Sequence, residues 1–144
     1  MSDPITSFKQ LRVYRSAFEM AMQIFDYSKQ WPKEEQYALT DQIRRSSRSV
    51  CSNIAESWFK RRYPNHFVSK LSDAGTEASE TLVWIDFAVE CQYMLEDKAT
   101  FLREKYRAII GGLTKMMAHP EQWCVPNDRV SEPVMGYRDA DLDL

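Results

Sequence analysis

The side chains of this chain best suited to chemistry are its cations. Between residues 41 and 62 stand Arg44, Arg45, Arg48, Lys60, Arg61 and Arg62, against only two acids, Asp41 and Glu56. The planar arginine fork holds a phosphate or a carboxylate through two parallel N–H bonds. Where several such groups share one side of a helix they form a phosphate-binding surface, with an affinity that falls steeply with salt. The same residues also suit a solvated helix face, or ion pairs with acids of a neighbouring subunit.

A second constellation is polar and mostly acidic. Asn53 and Glu56 lie one helical turn apart, and Glu77 and Glu80 repeat that spacing further along. Carboxylates facing each other across two helices could hold a metal, but bundle sites of that kind use Glu-x-x-His pairs. Neither His66 nor His119 has a glutamate three residues before it. The expectation is a polar network of Asn53, Glu56, Glu77 and Glu80 with Arg44 or Ser49, which fixes helix register, and no metal or cofactor.

The pair Arg61 and His66, with four residues between them, could place a cation at a phosphate and an imidazole to move a proton. This resembles the Arg…His pair of the HEPN ribonucleases, although here Pro64 interrupts the segment. A small ribonuclease is the remote alternative. No Gly-rich phosphate loop, Ser/His/Asp set or Cys/His arrangement stands out, and the expectation is a protein that is not an enzyme.

The elements that must position these groups are helical. Leu39, Ile43, Val50, Ile54 and Trp58 keep a three-and-four spacing, with Ser46 and Ser47 in the missing turn, so they share one face of a helix. A capping box, Ser7-x-x-Gln10, opens the first helix, whose seam reads Leu11, Tyr14, Phe18, Ala21 and Phe25. Trp31-Pro32 ends it. Pro32 followed by Glu34 and Glu35 starts a second helix, expected to run to about Arg62. A third carries Phe67, Leu71, Ala74, Ala78, Leu82, Ile85 and Val89, and Gly75 within it implies a close neighbour. A fourth starts at Asp97 as N-cap and buries Leu102, Tyr106, Ile109, Leu113 and Met116, with Pro120 as its stop.

Long helices on short connections imply an all-α fold, an up-down-up-down antiparallel four-helix bundle over residues 1–119. Residues 120–144, with three prolines and six acids against two arginines, read as an acidic, extended tail. The net charge of −2 therefore hides a body at +2 and a tail at −4. Cys51, Cys91 and Cys124 are odd in number and widely spaced, which suits buried small hydrophobes rather than disulfides. No apolar run is long enough for a membrane span and the N-terminus has no signal-peptide pattern. A cytoplasmic protein without membrane contact is expected.

The run from Gln42-Ile43-Arg44-Arg45 through Ser49-Val50 to Ser52-Asn53-Ile54-Ala55-Glu56 resembles the signature of the four-helix-bundle proteins encoded in bacterial 23S rRNA intervening sequences. Phe8-x-x-Leu11-x-Val13-Tyr14, Pro32-x-Glu34, Ala74-Gly75-Thr76 and Glu80 extend the likeness over about residues 8–117. The chain departs from the pattern at Ser57, where glycine is usual, at Tyr14, where tryptophan is usual, and at Thr76, where serine is usual. The resemblance implies a bundle that assembles into homo-oligomeric rings, with pentamers as the known form. It also implies association with RNA or a ribonucleoprotein and no established catalysis. Relatives that assist the reverse transcriptases of diversity-generating retroelements point the same way. On this reading Arg44, Arg45 and Arg48 are the first candidates for nucleic-acid contact and Lys60, Arg61 and Arg62 the second. Val13, Trp84 and Tyr93, off the main seams, are candidate subunit contacts. The alternative is a structural or protein-binding oligomer with no nucleic-acid role.

Overall fold

The computed structural model describes residues 4–125. Four α-helices, α1 (Arg12–Ser28), α2 (Asp41–Phe59), α3 (Pro64–Glu90) and α4 (Glu96–Ala118), account for most of them, and no strand occurs among the described residues. Each helix packs on two others: α1 on α2 and α4, and α3 on α2 and α4. The arrangement closes on itself around one core, consistent with a four-helix bundle.

Local chemistry accounts for where the helices begin and end. The Ser7/Gln10 capping box forms, but it closes a separate 3-10 turn, Phe8–Gln10. Leu11 then steps into extended backbone before α1 starts at Arg12. The second helix does not start at Pro32 as a regular α-helix. A 3-10 turn, Lys33–Glu35, and a π-helical turn, Gln36–Thr40, precede α2. Nor does α2 reach Arg62: Lys60 leaves helical geometry, and Tyr63 is extended because Pro64 follows it. Pro64 itself occupies the first turn of α3, where its missing N–H costs nothing. The cap of α4 is Leu95, and Asp97 lies in its first turn, its carboxylate accepting from the Lys98 N–H at 2.8 Å.

The core follows the expected stripes on α2 and α4, all of whose named apolar positions are buried. Residues such as Phe67, Ile54 and Leu102, fully buried, each contribute roughly 1.5–3 kcal/mol of transfer free energy. Ser46, Ser47 and Ser57 of α2 sit in that core: Ser46 Oγ and Thr81 Oγ1 hydrogen-bond at 2.8 Å between α2 and α3.

Two faces differ from expectation. On α1 the core residues are Ala17, Met20, Ala21 and Ile24, whereas Phe18 is 53% exposed and Tyr14 and Phe25 are half-buried. The stripe through Tyr14, Phe18 and Phe25 is a flanking face. On α3 the inward positions in the second half are Thr81, Ile85 and Ala88, with Leu82 and Val89 half-buried.

Between α2 and α3, Glu56 late in α2 meets Lys70 early in α3, whereas Ser46 and Arg45 early in α2 meet Thr81 and Glu80 further along α3. At one end Trp31 packs against Tyr93, with ring centroids 6.1 Å apart. At the other, Trp123 meets the buried Trp58 edge-on at 6.5 Å. Residues 120–125 open with the short turn Pro120–Gln122, and Trp123 and Cys124 pack against the core. The remainder of the acidic tail, 126–144, lies outside the described residues.

Candidate nucleic-acid interface

The register of α2 brings Arg44, Arg45 and Arg48 together. All three line one open depression of about 460 Å³ on the outer face of the helix, with Asp41, Ser49 and Ser52. Their surroundings differ. Arg44 is half-buried, donates through Nε to Ser28 Oγ at 2.8 Å, and places its guanidinium 4.8 Å from the Phe25 ring centre. Arg48 is exposed and lies 5.7 Å from the same ring. Arg45 leans the other way, to Glu80 at 2.9 Å and Glu77 at 3.4 Å on α3. Among the described residues, no carboxylate lies in ion-pair range of Arg44 or Arg48.

The second cluster is built differently. Lys60, Arg61 and Arg62 fall in the turn after α2 and do not join the depression. Arg61 lies flat on Trp58, 3.8 Å from the ring centre, and its Nε donates to the Trp58 carbonyl at 2.9 Å. Burial lowers its pKa from the ordinary arginine value, with Cys124 acting in the opposite direction. Arg61 is thus a packing residue at this end of the molecule. Arg62 lies 6.0 Å from the Tyr63 ring. His66 is exposed and its ring sits 5.5 Å from that of Tyr63.

The polar set divides into separate pieces. Glu77 and Glu80 share Arg45, not Arg44, and Glu80 also accepts from Trp84 Nε1 at 3.2 Å. Glu56 pairs with Lys70 at 2.7 Å. Asn53 donates to the Ser49 carbonyl of its own helix. These contacts tie α2 to α3 at two levels without forming one network. Among the described residues no cluster of three or more His, Cys, Asp or Glu side chains could hold a metal ion. No helix among them is long and apolar enough to cross a membrane.

Val13, Trp84 and Tyr93 are partly buried and packed against the core: Val13 meets Gly112, and the Tyr93 hydroxyl donates to Glu35 at 2.8 Å. The large apolar side chains most exposed on the helices are Phe18 and Met22 on α1, Val83 and Phe87 on α3, and Phe101 on α4, with Tyr37, Phe59, Tyr63 and Leu95 near helix ends and Ile5 before the first turn. The residues that sequence reasoning missed in the arginine site are Phe25, Lys29 and Ser28. Their signal was present, since Phe25 and Lys29 are one turn apart, but Phe25 was assigned to the core seam.

A protein whose described residues form four helices and no strand, with a basic depression on one helix, is the class these features define. The chain belongs to the 23S rRNA-intervening sequence protein family, whose model matches residues 9–115. Its fold is also that of a protein of unknown function from the S23 ribosomal protein family of Bacteroides thetaiotaomicron, known from a crystal structure. The two are 22% identical, with a TM-score of 0.64 over 73% of this chain and 97% of that one. No match was found among curated proteins.

Proposed function

We propose that this protein is a cytoplasmic, non-enzymatic RNA- or ribonucleoprotein-binding protein that contacts phosphates through Arg44, Arg45 and Arg48. In this reading it is an up-down-up-down antiparallel bundle that assembles with itself into a ring of five. The observation that carries the reading is the convergence of three arginines on one open depression, two of them without an acidic partner among the described residues. The contact of late α2 (Glu56) with early α3 (Lys70), and of early α2 (Ser46) with later α3 (Thr81), supports the antiparallel topology. Val83 and Phe87, one turn apart on the outside of α3 and each about half exposed, support self-association. In a ring, a modest basic patch is repeated around the axis, and that multiplicity raises avidity without better single contacts.

The test is binding of purified protein to fluorescent structured RNA over a salt series, with native mass recorded on the same sample. The expected result is binding that weakens steeply with salt, without cleavage, and that is lost in the Arg44→Ala/Arg45→Ala/Arg48→Ala variant at unchanged native mass. A clean oligomer with no RNA binding at low salt would overturn the RNA reading and leave a protein-binding scaffold. Cleavage abolished by His66→Ala would overturn the non-enzymatic one.

A further inference from the structure

The exposed stripe of α1 runs into the arginine depression, and the two together form a surface that neither helix makes alone. Phe25 lies at the junction. Three cations gather at its ring: Lys29 at 4.9 Å, Arg44 at 4.8 Å and Arg48 at 5.7 Å from the centroid. Two turns back along α1, Phe18 stands 53% exposed, and Met22 between them is 45% exposed. Phe18 is held from beneath by Tyr14, with centroids 6.1 Å apart and planes 27° from parallel. Tyr14 is braced in turn by the edge of Phe8 at 4.9 Å. Phe18 is therefore a braced aromatic platform open to solvent, about 10 Å along the helix from a cluster of positive charge.

We infer that this α1–α2 face takes single-stranded RNA, with an unstacked base on Phe18 and the adjoining phosphates on Lys29, Arg44 and Arg48. The inference rests on the RNA-binding reading above and names the strandedness of its ligand. A duplex keeps its bases stacked inside and offers only phosphate and sugar to such a surface. A single strand offers both a base to stack and a backbone to neutralise. The charge balance of the face suits that ligand. Arg12 and Arg15 are also exposed on α1, whose acids are Glu19 and Asp26; Asp26 already pairs with Lys29 at 3.4 Å. Asp41 is the acid that lines the depression.

The experiment compares an unstructured fluorescent oligoadenylate with a fully paired RNA duplex of equal length, using the full chain at low salt. Wild type is expected to bind the single strand more tightly. Phe18→Leu, which keeps apolar bulk and removes the ring, is expected to weaken single-strand binding about tenfold. Duplex affinity, salt dependence and native mass should be unchanged, since no charge is touched. Single-strand affinity unaltered by Phe18→Leu would overturn the inference while leaving the arginine reading in place, provided Arg44→Ala/Arg48→Ala still abolishes binding. A fall in native mass with Phe18→Leu would overturn it by making this face a subunit contact. Failure of wild type to bind either RNA would sink both readings together.

Discussion

Val13 and Gly112 touch where α1 crosses α4: a Cβ built on Gly112 would come within 2.6 Å of Val13 Cγ1. That is far inside van der Waals contact, and a β-branched valine has little freedom to withdraw. Gly112 is therefore fixed by helix approach, while its neighbour Gly111 faces open space, with nothing within 4 Å of where a Cβ would stand. The two alanine variants should differ in sign. Gly111→Ala gains helix propensity and should stabilise by up to about 1 kcal/mol. Gly112→Ala makes the same gain but overpacks the contact at a cost of about 1–3 kcal/mol. Urea denaturation of the two variants checks this, and equal effects would show that the α1–α4 approach is looser than described.

The end of α3 is held by an unusual residue. Gln92 adopts φ 66°, and around it Tyr93 N–H donates to the Ala88 carbonyl and Gln92 N–H to that of Val89, at 2.8 and 2.9 Å. This is the paired-bond C-cap that glycine normally serves. A side chain in left-handed geometry costs about 1 kcal/mol or more. Gln92→Gly should therefore raise stability by about 1 kcal/mol in the same denaturation assay, and Gln92→Val should lower it.

These two positions also mark how far the sequence could be read. Four helices were legible because their apolar periods are long, and the stripes of α2 and α4 were right residue by residue. The 91–93 turn carried no glycine to announce its geometry, so the cap was invisible. Gly75 was read as a close-packing glycine, yet a Cβ there meets nothing within 4 Å in this chain. The reason the α1 seam was misread is physical. Leu11-Tyr14-Phe18-Ala21-Phe25 and Ala17-Met20-Ala21-Ile24 are both helical stripes, a fraction of a turn apart. Hydrophobicity favours the aromatic one, but the close approach of α1 to α4 admits the smaller set. The arginine cluster was legible as three cations at helical spacing. Which of them is paired was not, because Glu77 and Glu80 reach Arg45 from another helix and Phe25 reaches Arg44 and Arg48 from a third.

The three cysteines should react in a fixed order. Cys91 is exposed just past α3. Cys124 is half-buried, and burial raises its thiol pKa while the Arg61 charge pulls it down. Cys51 is buried in α2, and burial pushes its pKa up to about 11. The thiolate is the nucleophile, so iodoacetamide at neutral pH should label Cys91 first, Cys124 more slowly, and Cys51 only when the structure opens. Peptide mass spectrometry over a labelling time course reads this directly. Labelling of Cys51 as fast as Cys91 would mean that α2 is not packed as described.

Tyr93 should couple stability to alkaline pH. Its hydroxyl donates to Glu35 at 2.8 Å, joining the turn after α3 to the turn before α2. That bond is the largest cause of a phenol pKa pushed up to about 12 from the ordinary 10.0, with desolvation and the Glu35 charge adding to it. The folded state thus holds this proton more tightly than the unfolded chain does. The linked stability is fully present below pH 10 and is lost as pH rises through 12. Tyr93→Phe removes both the bond and the linkage. The stability difference between wild type and variant should therefore be constant up to about pH 10 and shrink between pH 10 and 12. Denaturation at stepped alkaline pH measures it, and the difference between phenolate absorbance titrations of the two proteins isolates Tyr93 from Tyr106 and Tyr14, whose pKa values burial also raises. A difference that stays flat across that window would mean that the Tyr93–Glu35 bond does not persist in solution.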